Sequence, residues 1–378
     1  MAWLAVLLAM LAAVGGATAR PSAAGAASSN TILMPAVPNR VDAQAWLMGP
    51  PRGGPVFGVY PGGATGEAPN VPGYDPRVVM GRLGELAGGR PFIVHLYTAW
   101  SWYDPAYLDA EIQRYAEAGY GVALSVKYAP PAGHEDDVAG YEAFVRALVR
   151  RHGGQRGVVS FVIGNEANQS GNPEASDGAF VGAGAAVARG AIAAREEVAR
   201  LGAPARVGFN FGWTGSGADA AFLQGLARTG GPDFEQAVQF VGVNAYPGTW
   251  GPGAGRPYDD MLGVLASARA SVDTVPGLRG LPLEVLETGA PMLDEQEQAA
   301  WLAGFVRAAV DASERLNVTH LSWFDLWDSD SRSTAFHQHY GLLRSDLTPK
   351  PAFATYRELI ATAPAAGSST AEPPSRAN

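Results

Sequence analysis

The run "GVVSFVIGNE" (157–166) ends on an asparagine and a glutamate side by side, and "LPLEVLE" (281–287) ends on a second glutamate. A carboxylate at the edge of an apolar run is costly to bury unless it is paired or protonated. Two such groups, Glu166 and Glu287, converging on one substrate could divide acid and base work. One, kept protonated, would give a proton to a leaving oxygen; the other would attack carbon or activate water. Cleavage of a glycosidic bond needs such a pair. Either glutamate alone could equally be an ion-pair partner at the rim of a sheet. Both arriving at run ends, beside Asn, Tyr and Trp, favour a site.

The elements that must position them are legible as eight short apolar runs: 55–60, 91–97, 121–128, 157–166, 205–211, 238–246, 281–287 and 319–327. They are rich in β-branched and aromatic residues and flanked by Gly or Pro, which predicts strands. Helical patterns separate them. Asp104-Pro105 reads as an N-cap followed by proline at the first helical position, with Gly119 at the far end. Asp294 and Glu297 form a capping box ahead of a stripe at Leu302, Phe305, Val306, Ala309 and Val310. Tyr141, Phe144, Val145 and Leu148 mark a third helix, with Gly153 beyond its end. Eight strands alternating with helices predict an α/β fold, a single-domain (β/α)8 TIM barrel. A doubly wound open sheet is the alternative, but "GVYPGGATGEAPN" (58–70) lacks the G-x-G-x-x-G turn expected after its first strand.

Catalytic residues of a barrel gather at the carboxyl ends of its strands. Those ends carry Tyr60; His95 and Tyr97; Lys127 and Tyr128; Asn165 and Glu166; Asn210; Asn244 and Tyr246; Glu287; and Trp323 with Asp325. Glu284 lies an odd number of residues before Glu287, so strand alternation points it to the other face. His95 reads equally well as a satisfied core histidine.

The segments "GNEAN" (164–168), "VNAYP" (243–247), "LETGAP" (286–291) and "LSWFDLW" (321–327) together resemble glycoside hydrolase clan A, the cellulase-like (β/α)8-barrel retaining glycosidases with glutamates on strands four and seven. The resemblance spans roughly residues 50 to 360. It implies that Glu166 is the general acid/base and Glu287 the nucleophile, with retention of configuration. It further implies that Asn165 bonds the sugar hydroxyl next to the anomeric carbon, that Tyr246 holds the nucleophile, and that Trp323 forms the apolar floor of the sugar subsite. Two positions depart from the pattern. Asn244 stands where some of these families have His, and His95 lies in the strand near which many carry Arg. Both are kept as candidate substrate contacts.

The loop "YTAWSWYDPAY" (97–107) adds Trp100, Trp102 and Tyr103, which could build further sugar subsites or cap the helix layer; Trp213 and Trp250 pose the same choice. No cofactor and no metal are expected, since the first run has no His-x-His pair and "HQH" (337–339) falls in a polar loop. A net charge of -9 with Lys only at 127 and 350 argues against nucleic acid, so the expected partner is an oligo- or polysaccharide. Residues 1–19 read as a signal peptide with a small-residue cleavage site, and their apolar run is too short for stable membrane insertion. A secreted or cell-surface protein follows, free of disulfides because it has no Cys. Residues 20–45 read as a flexible spacer, 46–362 as the glycosidase-like domain and 363–378 as a disordered tail. The rival function is a non-catalytic carbohydrate-binding or cell-surface protein on the same barrel, which loss of one glutamate would mark; both are present.

Overall fold

The computed structural model describes residues 54–63 and 75–364. The expected signal peptide, the spacer and all but the first two residues of the expected tail lie outside the described residues.

Eight parallel strands close into a barrel in chain order. They are β1 (Val56–Val59), β2 (Phe92–Ala99), β3 (Gly121–Lys127), β4 (Val158–Ile163), β5 (Arg206–Gly212), β6 (Phe240–Asn244), β7 (Leu283–Thr288) and β8 (Val318–Trp323). Helices follow them in turn: α1 (Pro76–Ala87), α2 (Pro105–Glu117), α3 (Val138–His152), α4 (Ala183–Leu201), α5 (Gly217–Ala237), α6 (Pro257–Val272), α7 (Glu295–Leu316) and α8 (Pro351–Thr362). Pairing of Val56 with His320 and of Val59 with Trp323 joins the last strand to the first, so the sheet has closed and the open-sheet alternative falls.

Alternation along each strand sorts the side chains. Val94, Leu96, Val122, Leu124, Val207, Phe209, Val241 and Val243 belong to the main core shared with the helices. The interior floor is a separate cluster of Val56, Ile93, Ala123 and Val159, with Val162, Phe240 and Leu286 as another. Polar residues are therefore free to occupy the inner face nearer the carboxyl ends. The expected helix starts hold. Asp104 accepts from the backbone N–H groups of Ala106 and Tyr107, and Asp294 from those of Gln296 and Glu297. Each such cap stabilises its helix by about 1 kcal/mol.

Strand alternation fails at one place that matters. The register of β7 shifts between Val285 and Thr288, and Asn244 of β6 pairs with Glu287 after Val243 has paired with Val285. The extra residue turns Glu287 to the inner side. Glu284 is also enclosed there, contrary to the expectation that the two point apart. It forms a buried ion pair with Arg206, whose guanidinium lies 4.7 Å from the centre of the Phe240 ring.

Candidate active site

Glu166 sits just past the end of β4, where the chain turns sharply. Gly164 (φ 79°) and Glu166 itself (φ 49°) are left-handed. A Cβ on Gly164 would come within 2.5 Å of Val187 in α4, so this position requires glycine. Asp177 clamps the turn from below. Its Oδ2 accepts from the backbone N–H of Asn165 at 2.7 Å and of Tyr128 at 2.8 Å, tying the ends of β3 and β4 together.

Three asparagines from adjacent strands brace Glu166. Asn210 Oδ1 accepts from the Glu166 backbone N–H at 2.7 Å, and Asn210 Nδ2 donates to Asn165 Oδ1 at 2.8 Å. Asn244 Nδ2 donates to Asn165 Oδ1 at 3.2 Å and to Glu166 Oε1 at 3.0 Å. The other carboxyl oxygen, Oε2, accepts from the Ser176 hydroxyl at 2.7 Å. Burial raises the Glu166 carboxyl above its ordinary range, against the lowering effect of the Ser176 and Asn244 bonds and of the Lys127 charge. Lys127 is itself buried, with Nζ donating to the carbonyls of Glu174 and Ala175 at 2.6 and 3.1 Å. Asn165 Nδ2 reaches the same Ala175 carbonyl at 2.8 Å. The expected sugar contact at Asn165 is thus largely committed to holding this loop.

Glu287 is held by two phenols. Tyr97 donates to Oε1 at 2.5 Å and Tyr246 to Oε2 at 2.9 Å. His95 lies beneath, stacked on Tyr97 with ring centres 4.5 Å apart. Its Nδ1 is 3.0 Å from the Leu286 carbonyl, which can only accept, so Nδ1 carries the proton and Nε2 accepts from Ser125 at 2.8 Å. Burial pushes His95 down to about 3, leaving the ring neutral. The same Nδ1–H faces the Tyr97 oxygen at 3.4 Å, so the Tyr97 proton is left to point at Glu287. His95 is a support beneath Tyr97, in keeping with the core-histidine reading. Burial and the Glu166 charge push Glu287 up to about 7, with both tyrosine bonds and Lys127 opposing. Tyr97 and Tyr246 are themselves raised well above the ordinary phenol value, chiefly by burial, so they stay protonated donors.

Trp323 does not face the mouth, contrary to its expected place as an aromatic floor. Trp323 is completely buried and faces the helix layer, 6.5 Å from Phe305 of α7, with its indole N–H donating to the Tyr340 carbonyl at 3.2 Å. Its neighbour Phe324 faces the mouth. It stacks on Tyr60 at 5.2 Å and meets Tyr340 and Tyr246 edge-on at 5.6 and 6.5 Å. The reason is alternation, since His320, Ser322 and Phe324 share the inner face whereas Leu321 and Trp323 share the outer one. Asp325 turns away with Trp323. Its carboxyl is buried with no hydrogen-bond partner among the described residues, and burial beside Asp328 holds it well above the usual carboxylate range.

Trp100 also leaves the site. It packs among Tyr128, His134, Tyr141 and Phe144, over the helix layer. Ser176, Phe324 and Tyr340 were missed in the sequence. Alternation from His320 would have found Phe324. Ser176 and Tyr340 lie in irregular loops that carry no periodic signal.

No protein-family model matches the chain, and no curated protein matches it in sequence. Solved structures do match its shape. A family 39 glycoside hydrolase from Bacteroides cellulosilyticus WH2 superposes with a TM-score of 0.59 at 18% identity, over 85% of this chain and 65% of that one. A GH5_18 structure from Streptomyces cattleya, in complex with GlcNAc, gives 0.57 at 18% identity over 82% and 80%. A fungal beta-1,4-galactanase gives 0.55 at 14% identity over 80% and 99%. The chain spans just under two thirds of the length of the first of these and most of the others. The protein therefore shares the closed (β/α)8-barrel fold of these glycoside hydrolases.

Proposed function

We propose that the protein is a secreted retaining glycoside hydrolase that cleaves β-linked glycans by double displacement. Glu287, held as the carboxylate, attacks the anomeric carbon while Glu166 gives its proton to the departing glycosidic oxygen. A covalent glycosyl ester on Glu287 results. Glu166, now ionised, takes a proton from water, whose oxygen attacks the same carbon and releases Glu287. Each step is balanced, and the proton lost in the first half returns in the second.

The observation that carries this reading is the unequal company of the two acids. Both oxygens of Glu287 accept from phenols, one of which has its proton directed by His95; such bonds favour the charged form. Glu166 is bonded through a serine hydroxyl, which can reverse direction, and through one amide. Burial raises both carboxyls; the two phenol donors make Glu287 the better place for the charge and leave Glu166 the better place for a shared proton. The partly exposed Phe324 and the Tyr60 ring stacked against it offer the apolar surface on which the C–H face of a sugar packs.

Reducing-sugar release from a panel of β-linked glycans tests the function, with wild type beside Glu287→Gln and the product anomer followed by NMR. Release by wild type alone, with the β anomer formed first, is expected. Early appearance of the α anomer would replace retention by inversion. Binding without cleavage by folded wild type would favour the carbohydrate-binding barrel. Export is tested separately, by recovery of an amino terminus near residue 20 outside the producing cell.

A further inference from the structure

Two large aromatic side chains stand in solvent at the barrel mouth, where burial would be the ordinary outcome. Trp250 is 61% exposed and Phe336 42%. They come from different loops, one after β6 and one after β8, and their ring centres lie 5.7 Å apart at a tilt of 43°. Neither loop is slack. The backbone N–H groups of Thr249, Trp250 and Gly251 all donate to the Tyr246 carbonyl at 3.0–3.1 Å, and Gly248 N–H closes onto the Gly251 carbonyl. Phe336 opens a short 3₁₀ turn whose end is tied by Ser329 N–H to the Gln338 carbonyl at 3.1 Å.

The pair is continuous with the reaction centre. The Trp250 indole N–H donates to the Tyr340 hydroxyl, and the Tyr340 ring lies 5.9 Å from Tyr246 and 5.6 Å from Phe324. Tyr246 in turn holds Glu287. An aromatic path through Tyr246 and Tyr340 thus leads from Glu287 to an exposed surface at the mouth. We propose that Trp250 and Phe336 form a second sugar platform, which stacks a pyranose ring of the substrate next to the ring that reacts. This rests on the glycosidase reading and gives it a preference: oligosaccharides over single sugars. Rings already held in place lose little freedom on binding, so their contact area converts efficiently into affinity. The other exposed possibility, a protein partner, lacks the continuity with Tyr246 that the sugar reading uses.

The test compares the β-glycosyl fluorides of glucose, galactose and mannose with the matching β-1,4-linked trisaccharides. Fluoride is a leaving group with no face to stack. In Trp250→Ala the ratio of kcat/KM for trisaccharide over fluoride is expected to fall about tenfold, and in Phe336→Ala by a few fold. Trp250→Phe keeps a ring and loses the bond to Tyr340, so it should retain most of the ratio. An unchanged ratio in both alanine variants, or a Trp250→Phe variant as impaired as Trp250→Ala, overturns the platform. If wild type hydrolyses none of the six compounds, the hydrolase reading fails for these sugars, and calorimetric binding of the trisaccharides decides the platform alone. Binding that Phe336→Ala weakens supports it, and absence of binding overturns it.

Discussion

Asn244 Nδ2 lies 3.0 Å from Glu166 Oε1, and Asn244 is also the register partner of Glu287 on the neighbouring strand. One residue of β6 therefore connects the two acids, and it bonds the Glu166 oxygen that Ser176 does not. Its amide donor lowers the Glu166 carboxyl, working against burial. Asn244→Ala should let Glu166 rise, moving the alkaline limb of the pH–rate profile to higher pH. Losing a hydrogen bond to a charged group should also lower kcat by about tenfold or more. A limb that stays in place while kcat falls would limit Asn244 to shaping the site.

Leaving-group chemistry separates the roles of the two glutamates. An acid is needed most where the departing oxygen is a poor leaving group, and least where the group leaves unaided. Glu166→Ala should therefore lose at least about 100-fold on an oligosaccharide but far less on a glycosyl fluoride in the first step. Glu287→Ala should lose both. Equal losses of the two substrates in Glu166→Ala would remove it from the acid role.

The tyrosines give a prediction of opposite sense. Both lower the Glu287 carboxyl, so Tyr97→Phe and Tyr246→Phe should each raise it. The nucleophile works only when ionised, and the acid limb should shift to higher pH in both variants. For hydrogen bonds to a charged group, kcat/KM near neutral pH should drop by about 10- to 100-fold each. Tyr97→Phe should be the more damaging, because its hydroxyl is the one that His95 orients. Measured profiles whose acid limbs coincide with wild type would deny the tyrosines this role.

Much of this arrangement was legible in the chain, because strands are written in runs and ends. The run ending at Ile163 placed Glu166 correctly, and Asn210, Asn244 and Tyr246 followed from reading the same position on later runs. Trp323 falls on the outer face because the two-residue period from His320 brings Phe324 to the mouth. Glu284 and Glu287 share the inner side because a bulge that leaves no mark in composition breaks the period between them. Ser176 and Tyr340 depend on loops folded by distant partners: Asp177 against β3 and β4, and Trp250 against Tyr340. Such contacts have no local signature.

Glu287 also sets a cost on the fold. Its carboxyl moves from 4.5 to about 7 on folding, chiefly through burial and the neighbouring charge of Glu166. A carboxyl raised in this way binds its proton more tightly folded than unfolded. Its contribution is complete below pH 4.5 and is lost as pH rises through about 7. By pH 8 the folded protein must hold the charge, and that contribution has been surrendered. Glu287→Gln keeps the shape and removes the ionisation. It should therefore be inactive yet more stable than wild type at pH 8, and close to wild type at pH 4. Urea midpoints across this range check it, read as stability from the midpoint and slope. A variant no more stable at pH 8 than at pH 4, relative to wild type, would mean that the folded state bears the Glu287 charge without penalty, and that the tyrosine bonds outweigh burial.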